Sequence, residues 1–574
     1  MPDLVFDDVS ITYRTAAARG RGDIAAVRNV SLSLPAGGTL GIAGESGSGK
    51  STLAMSALRL LPDNAVIDGQ VRVGDRSVAE LSFGELRALR WSEVAIVFQG
   101  AMHSLNPVRT VGQQIIEALE LHVKDGWRTA EARKARLAEL MNQVDLPIAK
   151  AAAYPHELSG GQKQRIMIAM ALACEPDIIV ADEPTTALDV IVQGQILEVV
   201  KDLVTRRGIS LLMISHDLSV LATACERIAV MRNGELVEVG ESQQVCTEPR
   251  EAYTKQLADA FPTIGDPASR LKPVTRRTES VVTGSIDAIG AADASAPVHE
   301  PTKGGAGATD EVLLEARNLS VTFRSRGKTV RAVRGVDLSC RRGEIVALVG
   351  QSGSGKTTLA RTLLGLEAPD HGGQVLFRGK PLGRSTKRLR EFRRQVQLIL
   401  QDPSAALNPK LSVYESVAEG LRIQRFPGDE RERVAVSLEN AELTPPEHYF
   451  EAIPHELSGG QRQRVVIAGA LAMTPQMLIA DEPVASLDAS ARGEILALML
   501  RLRDELGLSA LVITHDLGLA WNIADTVAVM YHGEIVERGA TETVLLDPQH
   551  EYTKKLLAAA PKIVGREGVL AAAQ

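Results

Sequence analysis

TLGIAGESGSGKST occupies residues 39–52, and a second copy of the pattern, IVALVGQSGSGKTT, occupies residues 345–358. In each copy a short apolar run leads into G-x-x-x-x-G-K-[ST] and a helix-like run follows, which is the context this motif requires. Glycines let backbone N–H groups turn inward around phosphate oxygens, and the following helix presents its positive end to the same charge. The residues so placed are Gly44, Glu45, Ser46, Gly47, Ser48, Gly49, Lys50, Ser51 and Thr52, then Gly350, Gln351, Ser352, Gly353, Ser354, Gly355, Lys356, Thr357 and Thr358. Lys50 and Lys356 are expected on the β- and γ-phosphates of a nucleoside triphosphate, and Ser51 and Thr357 on its Mg²⁺. One match could be a chance glycine-rich turn; two, each between a strand and a helix, make chance negligible.

The rest of the chain repeats too. LSGGQKQR at 158–165 returns as LSGGQRQR at 457–464, and ADEPTTALD at 181–189 as ADEPVASLD at 480–488, an offset of 299 residues. The same offset carries His216 to His515 and Tyr253-Thr254-Lys255 to Tyr552-Thr553-Lys554. A period this long is a duplicated domain rather than a solenoid unit. The expected division is 1–262, a tether at 263–310 rich in Ala, Gly, Ser, Thr and Pro, and 311–574. Two cores are also what 574 residues demand, since single cores stop growing at roughly 250–300 residues. Strand-like runs at Thr39–Ala43, Ile345–Val349, Ile178–Ala181, Met477–Ala480, Leu211–Ser215 and Leu511–Thr514 alternate with helix-like runs such as Ser51–Leu61 and Gln162–Cys174. That alternation predicts an α/β core with a mostly parallel sheet.

A net charge of -7 gives no electrostatic grip on nucleic acid, so no nucleic-acid partner is expected. No apolar run approaches the roughly 20 residues needed to cross a bilayer. The N-terminus lacks a basic start and an apolar stretch, which makes the cytoplasm the default address. Four cysteines, Cys174, Cys225, Cys246 and Cys340, show no paired spacing and read as free buried thiols.

Each copy next carries an apolar strand ending in Asp-Glu, at Ile178–Glu183 and Met477–Glu482. Burial of such a strand delivers two carboxylates where metal and water can meet them. Asp182 and Asp481 are assigned to Mg²⁺, Glu183 and Glu482 to polarising the attacking water. Alone, the pair would read as a solvated strand end or helix cap; its place after a phosphate loop decides for chemistry.

With LSGGQ ahead of that strand in both copies, the chain outside the tether resembles the ATP-binding subunits of ABC transporters. The resemblance implies two P-loop NTPase domains, each a RecA-like α/β core with an antiparallel β subdomain and a helical subdomain. It implies head-to-tail pairing within the chain, each ATP lying between one phosphate loop and the other signature. Ser159, Gly160, Gly161 and Gln162 would then face the nucleotide on Lys356, and Ser458, Gly459, Gly460 and Gln461 that on Lys50. A Ser-Gly-Gly helix start is itself an anion-binding terminus, or simply a Ser-capped helix. By the same resemblance Gln99 and Gln401 touch Mg²⁺ and water, His216 and His515 the γ-phosphate, and Tyr13 and Phe323 the adenine, while Asp189 and Asp488 lie in the loops joining the sites.

FQGAMHSLNP at 98–107, LQDPSAALNP at 400–409 and the tails around Tyr253 and Tyr552 resemble the oligopeptide, dipeptide and nickel branch of importers. This implies an ATP hydrolase at the cytoplasmic face of the inner membrane, working with two integral-membrane permease subunits and an extracytoplasmic solute-binding protein. Import of di- or oligopeptides is expected; nickel, glutathione or another ligand of the same machinery is the alternative, and a tandem ABC ATPase acting on ribosomes or nucleic acid is the reading from another class. Many members of the branch carry a Cys-rich extension after the ATPase domain, and some hold an iron–sulfur cluster there. Here Cys246 alone falls in the first tail and no cysteine in the second, so no cluster is expected.

Overall fold

A computed structural model of the chain describes residues 1–14, 22–98, 100, 104–122, 127–186, 188–260, 264–271, 311–325, 328–383, 385–485 and 487–560. Each half is built on a six-stranded and a four-stranded sheet. In the first half the larger sheet runs Glu235–Glu241, Arg227–Arg232, Thr39–Ala43, Ser210–Ile214, Ile178–Asp182, Val94–Val97. Its Glu235–Glu241 edge is antiparallel and the other pairings are parallel. The second half repeats this order with Ile345–Val349 in the place of Thr39–Ala43.

Both faces of the large sheet are covered, which explains strands that read as continuous apolar runs. Ile178, Val180, Leu212 and Ile214 face the antiparallel sheet (Ile24–Leu34, Leu4–Tyr13, Ala65–Val73, Arg76–Ser77) and share a core with Phe6 and Ile11. Ile179, Ala181, Leu211 and Met213 point the other way, into a core with Ile115, Leu119, Leu140 and Ile166 from the helices Val111–Leu121, Ala130–Gln143 and Gly160–Ala171. The two-residue pleat period assigns each side chain to its face. Full burial of each such aliphatic chain contributes about 1.5–3 kcal/mol. Ile42, fully buried in the strand that feeds the first phosphate loop, is a sensitive position. Ile42→Ala is expected to lower stability by about 2–5 kcal/mol, read as a lower denaturant midpoint.

Element limits moved where caps intervene. The run predicted over 51–61 is a helix only over Lys50–Ser56, because Arg59 turns left-handed at φ 49° and Leu60 N closes back on Met55 O at 3.1 Å. The signature helix starts at Gly160 rather than Gln162, since Ser159 caps it.

Part of the segment expected as tether packs on the second half. Residues 264–271 are seated on the second half: Trp521 Nε1 donates to Asp266 O at 3.2 Å, Leu271 N to Asn522 O at 2.8 Å, and Arg270 pairs with Glu542 at 2.9 Å. Beyond its own turn hydrogen bonds, the run is held by these residues of the second half, which nothing in its composition announces. Residues 263 and 272–310 lie outside the described residues. The two halves also interlock: Ala489 of the second packs in the first half's core, and Ile191 of the first against the second's. Among the described residues, no helix is long and apolar enough to cross a membrane.

Candidate nucleotide sites at the seam

Both phosphate loops leave the carboxyl end of an inner parallel strand, the position where doubly wound sheets open a crevice. Glycine is obligatory at two points of each. A Cβ on Gly44 (φ 150°) would sit 2.3 Å from Met231 O, and one on Gly49 (φ 95°) 2.3 Å from Ala26 O; Gly350 and Gly355 are hemmed in likewise by Met530 O and Ala332 O. Lys50 Nζ donates to Gly44 O (2.8 Å) and Glu45 O (2.6 Å), and Lys356 Nζ to Gly350 O (2.6 Å) and Gln351 O (2.9 Å). Burial pushes both lysines below the ordinary value, against the opposing pull of Glu183, Asp182, Asp488 and Glu45 on Lys50 and of Glu482, Asp481 and Asp189 on Lys356.

The strand-end carboxylates lie beside the hydroxyls of the phosphate loops. Ser51 Oγ donates to Asp182 Oδ1 at 3.0 Å, and Thr357 Oγ1 to Asp481 Oδ2 at 2.9 Å. Burial raises both aspartates, with the hydroxyl hydrogen bond only partly offsetting it. Glu183 contacts His216 Nδ1 at 3.4 Å and accepts from Thr186 Oγ1 at 2.9 Å; Glu482 contacts His515 Nδ1 at 3.1 Å and accepts from Gln401 Nε2 at 2.8 Å. Burial alone would raise these glutamates, but hydrogen bonding and charge from the histidines and the nearby lysines outweigh it, and both sit below the ordinary value. Glu183 (φ 45°) and Glu482 (φ 48°) are also held in the left-handed region, a strain that surrounding structure must enforce. Gln99 lies outside the described residues.

Contacts across the seam are crossed. Asp189, which caps the Val190–Arg207 helix of the first half, accepts from Ser352 N of the second phosphate loop at 3.4 Å. Ser490, two residues beyond the cap Asp488, donates from the second half to Glu45 Oε1 of the first loop at 2.5 Å. Ser159 and Ser458 each close a capping box, with Gln162 and Gln461, at the start of their helices. Among the described residues, the hydrogen bonds joining a phosphate loop to the opposite half come from Asp189 and Ser490, not from the signature serines. Tyr13 Oη lies 3.2 Å from Thr52 Oγ1, and Phe323 is exposed on its strand.

The family model described as ABC transporter matches residues 27–186 and 333–485. The chain belongs to the ABC transporter family. It is an ATP-binding, ATP-hydrolysing member with two cassettes. A second model, described as the oligopeptide/dipeptide transporter C-terminal region, matches residues 237–286 and 536–573. The chain is similar to the glutathione import ATP-binding protein GsiA of Salmonella choleraesuis (strain SC-B67), at 41% identity over 97% of this chain and 90% of that protein. It is 42% identical to the GsiA protein of Escherichia coli (strain K12), over 94% of this chain and 87% of that one. Among solved structures, cbiO1 from Clostridium perfringens, part of the ABC transporter complex cbiONQ, aligns at 33% identity over 42% of this chain and 92% of its own, with a TM-score of 0.38.

Sequence reasoning left several contacting residues of this ABC ATPase without a role. Tyr253 and Tyr552, noted only for the repeat and for the tail resemblance, accept hydrogen bonds from the phosphate-loop amides of Glu45 (3.2 Å) and Gln351 (3.0 Å). Their recurrence at the shared offset was the available signal. Ser490 had none, because its counterpart in the first half is Ile191.

Proposed function

We propose that this ATPase energises uptake of short peptides, glutathione among them, through a separate membrane permease fed by an external solute-binding protein. The crossed contacts at Asp189 and Ser490 carry the reading: each phosphate loop is completed from the opposite half, so nucleotide at either site can govern how the halves close. The tail match and the named cargo of the relatives supply the substrate class. Ser51 with Asp182, and Thr357 with Asp481 and Gln401, offer the hard oxygens that Mg²⁺ prefers, and the ion would neutralise phosphate charge there. Glu183 and Glu482, ionised at neutral pH, orient water for attack, with His216 and His515 steadying them. Ser159 and Ser458 complete the opposite sites on closure, and Tyr13 and Phe323 cover adenine. The two cassettes at 1–262 and 311–574 sit at the cytoplasmic face of the inner membrane.

A groove of about 330 Å³ beside the Val396–Ile399 strand, lined by Leu364, Leu366, Arg393, Leu398, Ile423 and Met473, offers a permease helix an apolar seat. Ile423, 57% exposed, is expected to be dispensable for folding. Ile423→Asp should abolish co-purification with detergent-solubilised permease while leaving basal ATPase within about twofold; retained co-purification argues against the groove. Ser159→Arg should impair photolabelling by an azido-ATP at the second cassette and spare the first, and the reverse pattern overturns the head-to-tail assignment. The decisive test is accumulation of labelled glutathione and dipeptides by vesicles holding this chain and its permease. No ATP-dependent uptake of either, or purification with ribosomes instead of permease, sinks the reading.

A further inference from the structure

The tail of each cassette contains a helix, Ala252–Asp259 or Glu551–Ala559, that touches two things at once. Inward, a buried tyrosine hydroxyl accepts the N–H of the second residue of its own phosphate loop, Glu45 from Tyr253 or Gln351 from Tyr552. The rings are braced by equivalent strand ends: Arg232 lies 4.7 Å over Tyr253, and Tyr531 stacks on Tyr552 with centroids 4.0 Å apart. Tyr552 also donates to Gln351 Oε1 at 3.4 Å, and burial pushes both phenols up to about 12, so each keeps its proton at neutral pH. Outward, the same helices lie against the long helix that follows Asp189 or Asp488 in the opposite half. The second tail approaches so closely that a Cβ on Gly194 would stand 3.2 Å from Ala559 O, and Ala489 packs in one cluster with Tyr253 and Leu257.

We propose that the C-terminal tails are positioning elements for nucleotide: Tyr253 and Tyr552 set the backbone of their own phosphate loop, and the tail helix passes movement of the opposite half to it. This rests on the reading of Gly44–Ser51 and Gly350–Thr357 as nucleotide sites. The loop amides that cradle phosphate can face inward only if the chain entering the cradle is held, and this amide has its partner on the tail helix, far along the chain. A rigid loop binds with less ordering cost than a loose one. Seam closure that shifts the long helix presses on the tail and through it on the loop.

The test is Tyr253→Phe/Tyr552→Phe in the full chain, removing two oxygens and little volume. Loss of the acceptor is expected to raise the ATP KM and the Kd of a fluorescent methylanthraniloyl-ATP about tenfold, with kcat within about twofold and the melting temperature without nucleotide unchanged. Gly194→Leu, which crowds Ala559, should raise KM as well and not add to Tyr552→Phe, as coupled sites behave. A KM unmoved in the Phe variants, a KM that moves only with a lost melting temperature, or additive effects overturn the proposal. Lys50→Met/Lys356→Met separates the two failures: retained analogue binding there removes the nucleotide-site reading itself, whereas its loss beside normal Phe variants removes the tail's role alone.

Discussion

Glu183→Gln/Glu482→Gln is expected to cut steady-state ATP hydrolysis by at least about 100-fold while leaving ATP binding in place. Each glutamate directly follows a buried strand that ends in the aspartate of the hydroxyl–aspartate pair, and the lysine that would hold phosphate acts on it through charge while donating hydrogen bonds to loop carbonyls. Gln keeps the shape and the hydrogen bonding to His216 or His515 but cannot accept a proton from water. The carboxyls sit below the ordinary value, so their ionised form persists above the usual carboxylate range and is lost only as pH falls beneath it. Turnover should therefore show no inflection from these groups between pH 6 and 8 at roughly constant ionic strength. Hydrolysis unchanged in the double variant would remove both glutamates from the chemistry; lost binding would make them structural.

Lys50→Met/Lys356→Met is expected to abolish ATP binding yet leave the nucleotide-free chain at least as stable as before. Both ammonium groups are buried, and their depressed pKa means that the fold disfavours their charged form relative to water despite the surrounding carboxylates. A buried lysine of this kind costs the native state free energy in full below its depressed folded-state pKa, and the penalty fades as pH rises from there to the unfolded-state pKa. Methionine fills similar volume without charge. The penalty persists because phosphate needs the cation, a familiar exchange of stability for function. Calorimetry without nucleotide and titration with a fluorescent ATP analogue check the two halves of this expectation, and a sharply lowered melting temperature would contradict the first.

Much of this chain is legible in one dimension. A phosphate loop, a signature and an Asp-Glu strand each owe their chemistry to neighbours within ten residues, so linear pattern carries Gly44–Ser51, Ser159–Gln162 and Ile178–Glu183 and their copies. Strand burial was visible as well, because a sheet covered on both faces requires unbroken apolar runs such as Thr39–Ala43. The departures occur where partners are distant. Residues 264–271 look like tether until Trp521, Asn522 and Glu542 of the other half are brought to them. Ser490 reaches Glu45, and Tyr253 the amide of the same residue, across 445 and 208 positions that only folding closes. Left-handed backbone at Glu183 and Glu482 likewise has no local cause, since glutamate does not choose that conformation unaided. Local chemistry travels with the motif; the seam, the braced loops and the strained glutamates exist because separate segments satisfy one another's polar groups in three dimensions.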